Sequence, residues 1–242
     1  MKGWAIFVHS VRLVMNNIDV ALRVSLVLYL VQGAYQLTAF QYAPEGGGQP
    51  AQLPPQAALP LLVLGIAAVI ASLWIAVAWH RFVLLEERPS GWLPNWHGGK
   101  ILGYLGRSML IGVLISVVLL VTLSVVMVIP PLQVVILPGM VLAGSYFFFR
   151  LGVMLPAGAI DRKMKLAESW NATKDKDGAI VVLALIMMAG AFVLQIPSLV
   201  NGDPSSPISL VYDLVTGWFA TMIGVSILTT LYGHYVEGRD ID

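Results

Sequence analysis

In a chain made mostly of apolar runs, chemistry has to come from the few polar side chains those runs admit. Asp213 is the ionisable residue that sits well inside such a run, following Ser209-Leu210-Val211-Tyr212. A carboxylate there could hold a proton or a substrate, because charge within hydrocarbon is costly and is usually kept for function. A polar stripe of Ser25, Tyr29, Gln32 and Gln36 recurs at helical steps, one face of a single helix. Gln32, Gln36 and Asp213 approach the same end of their respective runs, so they define a candidate polar site between the first and last membrane segments. The competing reading is hydrogen bonding between helices together with an interfacial acid. Gly217, Ala220, Thr221 and Gly224 interleave at i, i+4. Small residues at that spacing let helices approach closely in lipid, so they mark a contact face toward this chain or a partner.

Other chemistries are excluded by composition or pattern. The chain has no cysteine, hence no disulfide, thiolate metal site or cysteine nucleophile. His9, His80, His97 and His234 are scattered, without the i, i+4 pairing that would suggest a metal or pigment site; His80 and His234 read as caps at helix C-termini. No His-Glu-x-x-His, Gly-x-Ser-x-Gly, Walker A or dinucleotide fingerprint is present. Asp161-Arg162-Lys163 and Lys174-Asp175-Lys176-Asp177 are mixed-sign runs of a solvated face. No catalytic residue, metal or cofactor is therefore expected.

The elements that must position these residues follow from hydropathy. Of 242 residues 58% are apolar and 11% charged, with a mean hydropathy of +0.82, against about 25% charged in soluble domains. The formal charge of +1 arises from 14 basic and 13 acidic residues, too dispersed for a nucleic-acid surface. Six apolar runs reach the roughly 20 residues a membrane crossing needs: 20–40, 57–80, 108–129, 132–150, 179–198 and 209–233. Backbone groups in lipid must be satisfied within the segment, so runs of this length predict helices and an all-α polytopic bundle. The connections 41–56, 130–131 and 199–208 carry no Lys or Arg. All basic residues fall on the other side, which predicts cytoplasmic termini in a bacterial inner membrane.

Residues 1–19 read as an amphipathic helix at the inner membrane surface. Trp4, Phe7, Val8, Val11 and Met15 lie on one side and Lys2, His9, Arg12 and Asn16 on the other; the alternative is an extension of the first span through a bend at Asn16-Asn17. Segments 81–107 and 151–178 are expected to be cytoplasmic, as is the tail 234–242. Polar or amphipathic stretches at 2–17, 92–107 and 161–177 each precede a pair of spans, which suggests three tandem hairpins. The connection 44–56, Pro130-Pro131 and Asn201-Gly202-Asp203-Pro204 read as loops and turns. Met164, Ala167 and Trp170 share one side of a short surface helix, and Trp92, Trp96 and Trp170 fit the interfacial aromatic belt.

Arg150, Leu155-Pro156 and Leu166-Ala167-Glu168-Ser169-Trp170-Asn171-Ala172-Thr173 carry a resemblance. The stretch 145–198 resembles bacterial polytopic proteins similar to the membrane domain fused to some glycerophosphodiester phosphodiesterases. That resemblance implies a six-helix bundle with cytoplasmic amphipathic helices and no activity of its own. The sequence thus points to a non-enzymatic membrane protein, an accessory or scaffold subunit that contacts lipids and a membrane-protein partner or a second copy of itself. The alternative is a small carrier for a lipid or apolar solute, using the polar site between the first and sixth spans.

Overall fold

The computed structural model describes residues 2–42, 54–128, 133–174, 178–201 and 206–241. The described residues form nine helices: α1 (Lys2–Asn16), α2 (Ile18–Phe40), α3 (Pro55–Leu85), α4 (Gly98–Val128), α5 (Gln133–Gly152), α6 (Met154–Ala159), α7 (Leu166–Ala172), α8 (Ala179–Asn201) and α9 (Pro207–Glu237). α2, α3, α4, α8 and α9, and α5 continued through α6, contain the six stretches long and apolar enough to cross a membrane, and they account for the six expected spans. The chain is an all-α membrane-type bundle. Most of loop 44–56, the Pro130-Pro131 turn, most of the Asn201–Pro204 turn and Asp175–Asp177 lie outside the described residues.

Asn17 interrupts the first two helices, its side-chain amide donating to the Leu13 carbonyl at 2.9 Å. The side of α1 buried in the bundle is Gly3, Ile6, Ser10 and Val14, while Trp4 and Met15 of the expected apolar side stay about half exposed. Gly3 explains why the first of these sides packs. A Cβ there would lie 2.4 Å from the Ala179 carbonyl oxygen, so its absence lets α1 lie directly on the start of α8. Ser10 then meets the last turns of α9: its Oγ is 2.9 Å from Thr230 Oγ1, and Ser226 donates to its carbonyl at 3.0 Å. α1 therefore binds protein along this face, wedging α8 and α9 apart.

Two boundaries differ from the sequence reading. α4 starts at Gly98 rather than near 108, so the last third or so of the expected cytoplasmic segment 81–107 belongs to this helix. Arg107 ends the apolar run in sequence, yet its guanidinium lies where a Gly158 side chain would be. Likewise the chain does not leave the bundle at Arg150. Leu151–Ala159 is buried throughout, and α6 packs on α3, α4 and α9. Of the expected 161–177 surface helix, α7 forms only Leu166–Ala172, with the Glu168 carboxylate accepting from the Lys165 backbone N–H at 3.0 Å. The hairpins are also unequal. α2 lies closely on α3 and α4 on α5, whereas α8 packs on α5 and α1 and only lightly on α9.

Candidate functional site

The most elaborate polar cluster surrounds Arg150, 7% exposed near the end of α5. Its guanidinium donates to Tyr146 Oη (2.7 Å), to the Trp170 carbonyl (2.7 Å) and to Thr173 Oγ1 (3.3 Å), and it lies 3.8 Å from the centre of the Trp170 ring. Ser169 Oγ sits 2.9 Å from the Arg150 carbonyl and 3.0 Å from that of Leu151. A cation can be buried this way because a π face and carbonyl dipoles replace its water. The stretch Ser169-Trp170-Asn171-Ala172-Thr173 is thus the clamp on Arg150, and Trp170 is half-buried there.

His80 does not cap a helix end. It is fully buried, with Nδ1 2.8 Å from Thr229 Oγ1 and Nε2 3.2 Å from Tyr104 Oη, and so ties α3 to α9 and α4. The sequence hides this role because both partners are distant in the chain. His234 Nδ1 donates to the Arg239 carbonyl at 3.1 Å, at the turn closing α9. Arg239 in turn donates to the Val83 and Leu84 carbonyls at the end of α3. In the α3–α4 connection Glu87 accepts from Arg81 Nε (2.7 Å) and Asn95 (3.0 Å) and pairs with His97 Nε2 (2.7 Å). Partial burial of the Glu87 carboxyl would raise its pKa; the hydrogen bonds from His97, Asn95 and Arg81, with the Arg81 charge, overcome this and hold it at about 2. Asp161 adds an ion pair to Lys100 and lies 4.0 Å from Arg81. Among the described residues no group of three or more His, Asp and Glu side chains could hold a metal.

The expected polar site between the first and sixth spans separates into parts. Ser25 accepts from Trp218 Nε1 at 2.8 Å and Tyr29 donates to the Leu214 carbonyl at 2.9 Å, so the lower stripe does join α2 to α9. Gln32 turns instead to α3, donating to Ser72 Oγ at 3.0 Å. Gln32 and Gln36 line a lateral cavity of about 760 Å³ between α2 and α3, and Asp213 is not part of it. Asp213 is exposed.

The small-residue face of α9 also divides. Gly217 serves internal packing, since a Cβ there would come 2.7 Å from Tyr29 Oη. Ala220, Thr221 and Gly224 instead line a groove of about 610 Å³ with side chains of α4, α5 and α8. A Cβ on Gly224 would meet nothing within 4 Å. α8 and α9 flank this groove, bridged by Tyr212 donating to the Leu194 carbonyl at 3.1 Å and held apart by α1 at the other end. Trp92 and Trp96, expected as interfacial anchors, are 58% and 57% exposed, and Trp96 meets Trp74 edge-on at 4.6 Å.

Comparison of the chain with family models, curated proteins and solved structures finds no match. What the geometry offers is therefore read from the molecule itself: a polar scaffold at the end rich in basic residues, and two lateral openings toward lipid.

Proposed function

We propose that this chain is a non-enzymatic membrane protein that serves a larger membrane complex as an accessory or scaffold subunit. It docks through the groove between α5, α8 and α9. The observation that carries this reading is the unfilled floor of Ala220, Thr221 and Gly224 within a groove of about 610 Å³. Helix association in lipid depends on close backbone approach, and small residues at i, i+4 on an open groove provide it. Within the spans, His80 and Arg150 are both engaged in holding helices together, which supports a structural role. The basic residues of the short connections lie on one side, which supports cytoplasmic termini in a bacterial inner membrane.

The test places a photo-crosslinking residue at position 220 and examines native membranes by native electrophoresis. A discrete crosslinked band and a complex heavier than the chain are expected, and Gly224→Trp should reduce both by about tenfold. Migration of the chain alone, or a complex indifferent to Gly224→Trp, overturns the proposal.

A further inference from the structure

Asp213 has no counter-charge in its own chain. It is exposed near the start of α9, about 9 Å along the helix from Pro207, and makes no hydrogen bond or ion pair with the described residues. Residues 24–80, 108–149 and 177–238, which hold the halves of all six spans that lie away from the basic residues, contain no Lys or Arg. A carboxylate within an apolar run is costly unless a cation meets it. The cation that would relieve this cost has to come from another molecule.

The helical repeat says where such a molecule lies. Ala220 and Gly224 follow Asp213 by seven and eleven residues, close to two and three whole turns, so the three share one stripe of α9. Ala220 and Gly224 belong to the floor of the groove of about 610 Å³, and Asp213 stands in line with that floor, about 10 Å nearer the start of α9. The neighbouring Tyr212 turns to the Leu194 carbonyl of α8, which leaves the carboxylate on the open side. A helix laid along Ala220 and Gly224 therefore passes Asp213 before it leaves the bundle. No charged side chain lines the groove itself, so recognition of charge falls to Asp213.

We infer that the partner of this groove is a different membrane protein, whose docking helix carries a lysine or arginine about two turns from its close contact with Ala220 and Gly224, and that this cation pairs with Asp213. The inference rests on the docking reading above and names the chemistry of its partner. A second copy of this chain in the same membrane orientation brings another Asp213 to this end and no cation. An aminophospholipid brings its phosphate along with its ammonium, and this side of the chain has no Lys or Arg to receive the phosphate.

The test uses the whole protein in phosphatidylcholine nanodiscs with synthetic transmembrane peptides of leucine and alanine. Each carries a Gly-x-x-x-Gly pair and, seven residues from it, Lys, Leu or Glu; binding is read by energy transfer from a donor on the protein. The Lys peptide should bind at least about tenfold more tightly than the Leu peptide, the worth of one close charge pair, and the Glu peptide more weakly than either. Asp213→Asn should abolish the preference for Lys and Asp213→Glu should keep it, with both thermal midpoints near that of wild type, whereas Gly224→Trp should weaken all three peptides alike. In native membranes Asp213→Asn should lower crosslinking from position 220 by about tenfold, and Asp213→Glu should retain it. The inference is overturned by equal binding of the Lys and Leu peptides, by a preference that survives Asp213→Asn, or by one that disappears when phosphatidylethanolamine replaces much of the phosphatidylcholine. In those cases the docking reading stands so long as Gly224→Trp still weakens binding. A native crosslink between two copies of this chain also overturns it, and binding indifferent to Gly224→Trp removes the docking reading and the inference together.

Discussion

In α3 every residue from Ile75 to His80 is buried, whereas between Pro55 and Ile70 only Ala57 is. α9 repeats the pattern, with Ser226–Gly233 buried and its first half mostly open. The open halves are as rich in Leu, Ile and Val as the buried ones, so apolarity does not decide which one packs. Lipid tails solvate leucine as well as protein does, and helices in a membrane are held by close fit and by hydrogen bonds instead. The basic half has both. It holds Gly3 against α8, the Ser10, Ser226 and Thr230 cluster, the His80 link and the Arg150 clamp. The other half has few such devices among the described residues, and there the helices stand apart and leave the two lateral openings.

The strongest way to break this contrast is to remove the Arg150 clamp. Arg150→Met strands the Tyr146 hydroxyl and the Trp170 carbonyl and deletes the cation–π contact, at an expected cost of about 3 kcal/mol or more. Unfolding in mixed micelles should show it, with Trp170 fluorescence shifting as α7 detaches from α5. Next comes His80→Leu, which keeps the volume roughly but leaves Thr229 and Tyr104 without their shared partner. About 1–2 kcal/mol is expected, near the upper end for hydrogen bonds inside membranes. A loss below a few tenths would mean that shape alone holds the basic half together. Smaller again is the Glu87 contribution. Its folded pKa is below its ordinary value of 4.5, at about 2, so the ionised carboxylate stabilises the fold above pH 4.5. That stabilisation is lost as pH falls through the window down to about 2. In thermal melts Glu87→Gln should lower the midpoint at neutral pH and make no difference at the acid end of that window.

Much of this contrast cannot be read along the chain. Six apolar runs and their ends are local properties, and they placed the six spans with no further information. Arg150 and Arg107 look like the limits of their runs because a sequence window cannot know that Trp170 or Gly158 will accommodate a guanidinium. The small spacing at Gly217, Ala220, Thr221 and Gly224 does mark a face of α9. Which part meets Tyr29 and which part stays open depends on where α1 wedges the bundle, and that rests on Gly3, a residue with no periodic signature. The Ser25, Tyr29, Gln32 and Gln36 stripe was legible as one side of a helix. Yet a stripe this wide meets two neighbours, so Tyr29 reached α9 while Gln32 reached α3.

The smallest effect is also the one that most directly probes the open half. Leu120 of α4 is 62% exposed within a long apolar helix. In water, truncating a leucine that is buried on folding loses transfer free energy and leaves a cavity. At this position neither cost applies, because lipid covers the side chain in the folded and the dispersed helices alike and closes over the space it vacates. Leu120→Ala should therefore change stability by no more than about 0.5 kcal/mol. Native electrophoresis of the same variant then serves as a control for Gly224→Trp, since it alters the lipid-facing surface away from the docking groove. A cost of about 2 kcal/mol or more at Leu120 would show that the outer half is covered by protein in the membrane, and the difference between the two halves would then belong to the isolated chain alone.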